Sequence, residues 1–186
     1  IFDMIPSNLE NKKKRLVIKD IENKDWKRTD DYIDEFDYLI SAGIAREVKA
    51  ISKPSYPLTE NSGKNLLKLY LNDVGILSGI FYRNNIKAVM SDIKSINLGS
   101  LYETVVAQEL KAHGYNLYYY DNKKNGAVDY LIDDADNLSN IPIEVKSGKS
   151  TSSRSLTLYN AEKHPILRIR YSDKELKLDD NLLNIP

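Results

Sequence analysis

The sequence predicts an α/β fold, because helical and extended patterns alternate through its second half. Between residues 98 and 113 apolar side chains recur at three- and four-residue spacing, and Gly114 follows, which predicts one amphipathic helix and its end. Short apolar runs with β-branched and tyrosine side chains predict strands. The predicted strands are 116–120, 127–132, 141–146 and 166–171, with a second helix at 152–163. The resulting order is helix, three strands, helix, strand.

The preceding part of the chain predicts a small helical and hairpin segment. Helical periodicity between residues 30 and 40 ends at Gly43, a residue type that often stops a helix. Two extended runs follow, at 44–51 and 66–71, and the loop between them contains prolines. Helix, glycine, strand, loop, strand is the outline of a winged helix-turn-helix. The predicted domains are therefore a winged-helix-like segment at 1–80 and a second domain at 81–186.

Composition excludes several classes of function. Lysine plus arginine and aspartate plus glutamate each total 27, a net charge of zero, whereas proteins that coat duplex DNA are usually basic. Cysteine is absent, which excludes disulfides, thiolate metal sites and cysteine nucleophiles. The sequence lacks the ~18 consecutive apolar residues of a membrane span and a secretory signal, so we expect a cytoplasmic protein without a membrane partner. The chain begins with Ile1, and we expect it to be a piece of a longer polypeptide.

The chemistry-bearing residues lie on two of the predicted strands. Alternate side chains of a strand share a face, so Glu144 and Lys146 point the same way and Val145 points into the core. Asp129 lies in the preceding apolar strand, and pairing of the two strands would bring it close to Glu144. Two carboxylates at one place repel each other unless a hard cation lies between them. The pair therefore predicts ligands for Mg²⁺ or Mn²⁺, which prefer oxygen.

Such a site has a specific chemical use. A divalent cation polarises a phosphoryl oxygen and lowers the pKa of a bound water. Lys146 would orient that water or stabilise charge on the phosphate, and Glu103, on the predicted helix, would be an outer ligand or tune Lys146. The candidate catalytic residues are thus Asp129, Glu144, Lys146 and Glu103, for metal-dependent hydrolysis of a phosphodiester. The alternative is a structural role, in which these residues form a salt bridge on a half-exposed strand.

An aspartate followed by Glu-x-Lys, within this order of elements, resembles the PD-(D/E)XK nuclease superfamily. Four segments resemble one branch more closely, the C-terminal domain of unknown function attached to bacterial AAA-type ATPases. They are residues 71–77 (LNDVGIL), 99–110 (GSLYETVVAQEL), 126–130 (GAVDY) and 142–148 (PIEVKSG). Either motif alone is common, but their order and accompanying glycines make the combination fairly specific. The resemblance extends over nearly the whole chain.

The resemblance implies a restriction-endonuclease-like αβββαβ core behind the winged-helix-like segment. It implies nucleic acid as a partner, with DNA favoured over RNA. It also implies an ATPase domain in cis, which this chain lacks because no Gly-x-x-x-x-Gly-Lys-Ser/Thr occurs. It leaves catalysis open, because a nuclease-like core can also bind without cutting and regulate the ATPase. Relatives usually carry an acidic residue where this chain has Ala127, so one outer carboxylate is missing.

Two other groups could contact nucleic acid. Basic residues early in the chain could face phosphates, although such runs are more often a solvated face. These residues are Lys12 to Arg15, Lys24, Lys27 and Arg28. Tyr118, Tyr119 and Tyr120 could stack on bases, but alternation turns at least one of them into the core, which favours a packing role.

Overall fold

A computed structural model describes residues 1–10, 14, 16, 21, 27–82, 87, 98–122, 126–147 and 153–186. Five α-helices lie in these residues: α1 Met4–Glu10, α2 Ile33–Ser41, α3 Val74–Tyr82, α4 Gly99–Ala112 and α5 Arg154–Lys163. The strands are β1 Ala45–Ile51, β2 Ser62–Leu71, β3 Tyr118–Asn122, β4 Gly126–Asp134, β5 Ser139–Val145, β6 Arg168–Tyr171, β7 Lys177–Asp179 and β8 Leu182–Ile185. Short 3₁₀ helices occupy Thr29–Tyr32 and Leu58–Asn61.

The eight strands form one mixed sheet, in the order β2-β1-β3-β4-β5-β6-β8-β7. The α/β class is therefore confirmed, and so is the predicted order of α4, three strands, α5 and β6. The restriction-endonuclease-like description of this core stays a prediction. Among the described residues, no helix combines the length and the apolarity needed to cross a membrane.

The predicted hairpin in the first part of the chain joins the same sheet. Gly43 has a φ of 68°, a left-handed conformation that suits glycine, and β1 begins two residues later. β1 pairs with β2 in antiparallel and with β3 in parallel orientation. The hairpin thus extends the sheet that carries β4 and β5. The description of residues 1–80 as winged-helix-like, and the domain boundary at 80, stay predictions.

A β-bulge in β4 determines where its side chains point. Tyr118 and Tyr120 of β3 pair with Leu131 and Val128, so Asp129 and Tyr130 lie opposite the single residue Tyr119. Tyr130 packs in the apolar cluster that contains α4 residues, while Val128 and Leu131 pack with Leu156 and Tyr159 of α5. The two helices therefore cover two different apolar clusters of the sheet, and the bulge changes the alternation between them.

β5 changes partners along its length. Its antiparallel register with β4 runs from Asp134↔Ser139 to Tyr130↔Ile143. From Ile143 to Val145 it pairs in parallel with β6, where Glu144 lies beside Arg170. The N–H of Val145 bonds to the side chain of Asp129 instead of a β4 carbonyl. The motif residues thus lie at the point where the regular β4–β5 pairing ends.

Candidate functional site

The four predicted residues lie on elements that meet at this end of β5. Glu103 is on α4, Asp129 is in the bulge of β4, Glu144 is on β5, and Lys146 follows β5 directly. Lys146 Nζ donates a 2.5 Å hydrogen bond to Glu144 Oε1. The charges of Glu103 and Glu144 both raise the pKa of Asp129, which places the three carboxylates within electrostatic reach of one another.

Asp129 is the carboxylate with the most perturbed acidity. Burial, followed by the charge of Glu103, raises its pKa to about 7, and Glu144 adds to the rise. The positive charge of Lys68 and the N–H of Val145 act in the opposite direction. The N–H of Val145 donates to Asp129 Oδ2 at 2.9 Å. Near neutral pH this side chain is therefore divided between its acid and its carboxylate.

Glu144 is 4% exposed and only partly satisfied. Burial raises its pKa, while the hydrogen bond and the charge of Lys146 lower it. Burial acts to lower the pKa of Lys146, but Glu144 and the other carboxylates raise it above its usual value. Glu144 Oε2 is buried and has no hydrogen-bond partner among the described residues. A buried acceptor without a donor is costly, so this oxygen marks a position where a ligand would be stabilised.

Glu103 is equally buried, but its carboxylate is engaged at both ends. Lys14 Nζ pairs with Oε1, and the hydroxyl of Tyr70 donates to Oε2 at 2.8 Å. The hydroxyl of Tyr130 donates to the backbone carbonyl of Glu103 at 2.8 Å. Both tyrosines are fully buried, and burial raises the pKa of each well above its usual value. Both carboxylate oxygens of Glu103 are thus bonded to side chains of the protein, which agrees with an outer position in the site.

Lys68 is a site residue that the sequence analysis missed. It is 3% exposed, lies on β2, and places its ammonium 4.6 Å from the ring centre of Tyr119. Its positive charge lowers the pKa of both Asp129 and Glu144. A signal was present, because Lys68 interrupts an apolar strand in the same way as Glu144 does.

Lys14 and Tyr70 were also missed as partners of the site. Lys14 was considered only as part of a basic run, most of which (Lys12, Lys13, Arg15 and Lys24) lies outside the described residues. Tyr70 lies in a run predicted only as a strand. Tyr118, Tyr119 and Tyr120 are all at least 95% buried, so packing and not base stacking is their role. Their pairing through β3 explains this burial.

The arrangement gathers three carboxylates and three lysines in a mostly buried volume. Asp129 and Glu144 are the two carboxylates that share the end of the β4–β5 pairing, and Lys146 is the cation bonded there. Within the residues that the structure describes, no three histidine, aspartate or glutamate side chains form a group able to hold one metal ion.

A family model matches the part of the chain that carries the site. The family model named Domain of unknown function (DUF4143) matches residues 98–186, which run from the residue before α4 to Pro186. The matched part contains Glu103, Asp129, Glu144 and Lys146. This confirms the resemblance to a domain of unknown function for that part of the chain. No curated protein matches the sequence.

Proposed function

We propose that this site hydrolyses phosphodiester bonds of nucleic acid, with DNA favoured over RNA as the substrate and with Mg²⁺ or Mn²⁺ held by Asp129 and Glu144. One observation carries the proposal: among the described residues the buried oxygen Oε2 of Glu144 has no donor, and the half-buried carboxylate of Asp129 and the bonded Lys146 lie beside it. Buried carboxylates are usually satisfied by hydrogen bonds, by an opposite charge or by a metal.

The residues present fit a hard divalent cation. Such ions prefer carboxylate oxygens, and the chain offers them without any thiolate. Burial raises the pKa of Asp129 to about 7, and burial also raises the pKa of Glu144, so a positive charge between them would relieve an electrostatic penalty in both. The missing acid at Ala127 leaves ligand positions for water or for phosphate oxygens.

Each residue of the chain then has a distinct role. Lys146, kept charged by Glu144, donates to a phosphate oxygen or to the attacking water. Glu103 is a positioning residue, because it acts through Lys14, Tyr70 and its charge on Asp129. The bound ion would supply polarisation of the phosphorus–oxygen bond and a more acidic water. Asp129, whose pKa is raised to about 7, would hold the cation in its carboxylate form, so its proton would be released on binding.

The wider context is part of the same proposal. The ordered motifs resemble PD-(D/E)XK nucleases and the C-terminal domain of bacterial AAA-type ATPases, and the matching family model is that of a domain of unknown function. On this basis the chain is a C-terminal module of a cytoplasmic ATPase, with the ATPase domain as its partner in cis. The αβββαβ order of α4 to β6 supports a restriction-endonuclease-like core.

The direct test is cleavage of linear, nicked and branched DNA and of RNA with Mg²⁺ or Mn²⁺, together with Mn²⁺ binding measured by calorimetry. We expect wild type to cleave at least one substrate, and Asp129→Ala to abolish both cleavage and Mn²⁺ binding. Asp134→Ala is the matched control, because Asp134 ends the same strand and its side chain, among the described residues, accepts from Asn137 in the neighbouring turn and not from a site residue. It should keep both activities.

A second function, DNA or protein binding without cleavage and with regulation of the ATPase, has its own supporting observation. Lys14 and Tyr70 occupy both oxygens of Glu103, which leaves the helix-borne carboxylate without a vacant position. DNA binding that persists in EDTA and in Asp129→Ala, with no cleavage by wild type, would favour this function. The cleavage panel must then be repeated with the ATPase domain restored.

A further inference from the structure

A cavity lined by arginine, hydroxyl and leucine side chains lies at the start of α5, on the part of the sheet that carries β6 and β8. Its volume is about 380 Å³, within the range of ~300–1,000 Å³ that small-ligand sites occupy. Arg154, Arg168 and Arg170 line it, and no acidic residue does so among the described residues. Three guanidinium groups around one cavity are unusual in a chain whose net charge is zero.

Ser153 gives an independent indication that the cavity takes a ligand. This residue precedes α5, lines the cavity and is 8% exposed. Its hydroxyl oxygen is buried and has no hydrogen-bond partner among the described residues. Its backbone carbonyl accepts from the N–H and from the hydroxyl of Thr157, so the residue itself is held in place. A residue in the cavity wall thus carries a buried hydroxyl that the described residues leave unsatisfied.

The neighbouring helix end adds donors of the same kind. The first N–H groups of an α-helix have no partner inside the helix, and the helix dipole favours an anion there. α5 has ten residues, so its N-terminus carries this property fully. Helix N-termini that also offer arginine and hydroxyl side chains are well suited to phosphate groups.

Two of the arginines are held by asparagines. Arg168 Nε donates to Asn181 Oδ1 at 2.8 Å, and Arg170 Nε donates to Asn184 Oδ1 at 2.9 Å. Asn181 in turn donates to Asn160 Oδ1 on α5 and to the carbonyl of Pro165. Burial lowers the pKa of Arg168, and the charge of Asp180 opposes that change. Little side-chain ordering therefore remains when an anion binds.

We propose that Ser153, Arg154, Arg168 and Arg170, with the N-terminus of α5, bind a phosphate group. Arg170 is the register neighbour of Glu144, and partners in adjacent strands lie about 5 Å apart. The bound phosphate is therefore that of a nucleic-acid strand whose next phosphodiester lies at Glu144. This assignment of the source rests on the proposed function, whereas the phosphate pocket itself does not.

The first measurement is calorimetric titration of the whole chain with inorganic phosphate in EDTA at constant ionic strength. We expect saturable binding by wild type and a loss of about tenfold in Arg154→Gln, since a hydrogen bond to a charged group is worth that much or more. Ser153→Ala should weaken binding several-fold without changing the charge. Lys163→Gln is the matched control, because it removes one positive charge from the other end of the same helix. It should bind as wild type does.

The second measurement uses a short single-stranded oligonucleotide, again in EDTA and in the Asp129→Ala background. Tighter binding than inorganic phosphate, weakened by Arg154→Gln and competed by phosphate, supports a nucleic-acid source. Oligonucleotide binding that Arg154→Gln leaves unchanged overturns that source and assigns the pocket to a free phosphate compound.

Two outcomes overturn the pocket itself. Wild type could show no saturable phosphate binding, or Arg154→Gln and Lys163→Gln could weaken it equally, as net charge alone would predict. Because both titrations exclude divalent metal, they do not depend on cleavage. A chain that hydrolyses nothing but binds phosphate here retains the pocket and loses only the proposed hydrolysis.

Discussion

Glu103 and Glu144 offer a direct comparison within one cluster. Both are 4% exposed, and each pairs with one lysine. Glu103 uses its second oxygen to accept from the hydroxyl of Tyr70, whereas the second oxygen of Glu144 has no partner among the described residues. The two carboxylates are thus equally buried, but among the described residues only that of Glu103 has a hydrogen-bond partner for both oxygens.

The difference separates two uses of a buried carboxylate. At Glu103 the protein supplies both donors, so the side chain stabilises the contact between α4, β2 and Lys14. At Glu144 the described residues supply one donor, from Lys146, and leave the other oxygen available to a ligand. A functional carboxylate commonly lowers stability because its ligand, and not the fold, completes it. The comparison predicts unequal losses of stability when these residues are changed.

The largest expected effect comes from truncating the two glutamates separately. Glu103→Ala should lower the free energy of unfolding by about 3 kcal/mol, because it leaves the buried Tyr70 hydroxyl and Lys14 without their acceptor. Glu144→Ala should lower it by about 1 kcal/mol or less, since Lys146 keeps access to water. Urea denaturation at pH 8 in EDTA measures both. Equal losses would show that the two carboxylates do not differ as described.

A second effect concerns pH and Asp129. Because burial raises its pKa to about 7 from the ordinary 3.8, the folded protein favours the protonated acid. The contribution of this group to stability is full below pH 3.8 and is lost as pH rises through 7. Asp129→Asn, which stays neutral, should remove that loss.

The measurement is denaturation of wild type and Asp129→Asn at pH 5 and pH 8 in EDTA. Between these pH values wild type should lose about 3 kcal/mol more than the variant, since nearly two pH units separate pH 5 from the folded pKa and each is worth about 1.4 kcal/mol. Asn at this position can still accept from the N–H of Val145. Parallel pH dependence of the two proteins would contradict the raised pKa.

The smallest expected effect comes from a variant that leaves one oxygen of Glu103 without its donor, as in Glu144. Tyr70→Phe removes the donor to Oε2 and should lower the free energy of unfolding by about 1 kcal/mol. The loss should nearly vanish in the Glu103→Ala background, because the acceptor is gone.

Tyr120→Phe is the matched control for this cycle. Tyr120 is also fully buried, but it lies in the other apolar cluster and its hydroxyl donates to Glu162 Oε2, so its cost should be the same in both backgrounds. A Tyr70→Phe cost that also persists without the Glu103 carboxylate would place the energy elsewhere.

Local patterns were sufficient for part of this site. Alternation within one short strand predicted that Glu144 and Lys146 share a face, and the two side chains are bonded. Apolar spacing with a following glycine predicted α4, which begins at Gly99 and ends at Ala112. These inferences use neighbours within a few residues, where backbone geometry is constrained by helix or strand alone. β7 and β8, with three and four residues, are too short to show a pattern.

Other parts of the site depend on distant residues. Lys14 lies 89 residues from Glu103 in sequence, and Tyr70 lies 33 residues from it. No periodicity relates positions that far apart, so only the fold brings them together. The bond from Val145 to Asp129 likewise follows from the end of the β4–β5 pairing, which no residue type in either strand indicates. Completeness of hydrogen bonding, which distinguishes Glu103 from Glu144, is a property of tertiary structure.

The bulge at Asp129 and Tyr130 makes chain length a determinant of the site. Side chains of a strand alternate between the two faces of the sheet, and in β4 this alternation shifts by one residue at the bulge. A substitution at either position changes one side chain and leaves the alternation on both sides of the bulge as it is. Deletion of either bulge residue would restore a regular ladder in which Val128 and Leu131 still lie opposite Tyr120 and Tyr118 and keep their apolar cluster. The extra residue therefore adds one side chain opposite Tyr119 without changing the faces of the residues that follow it.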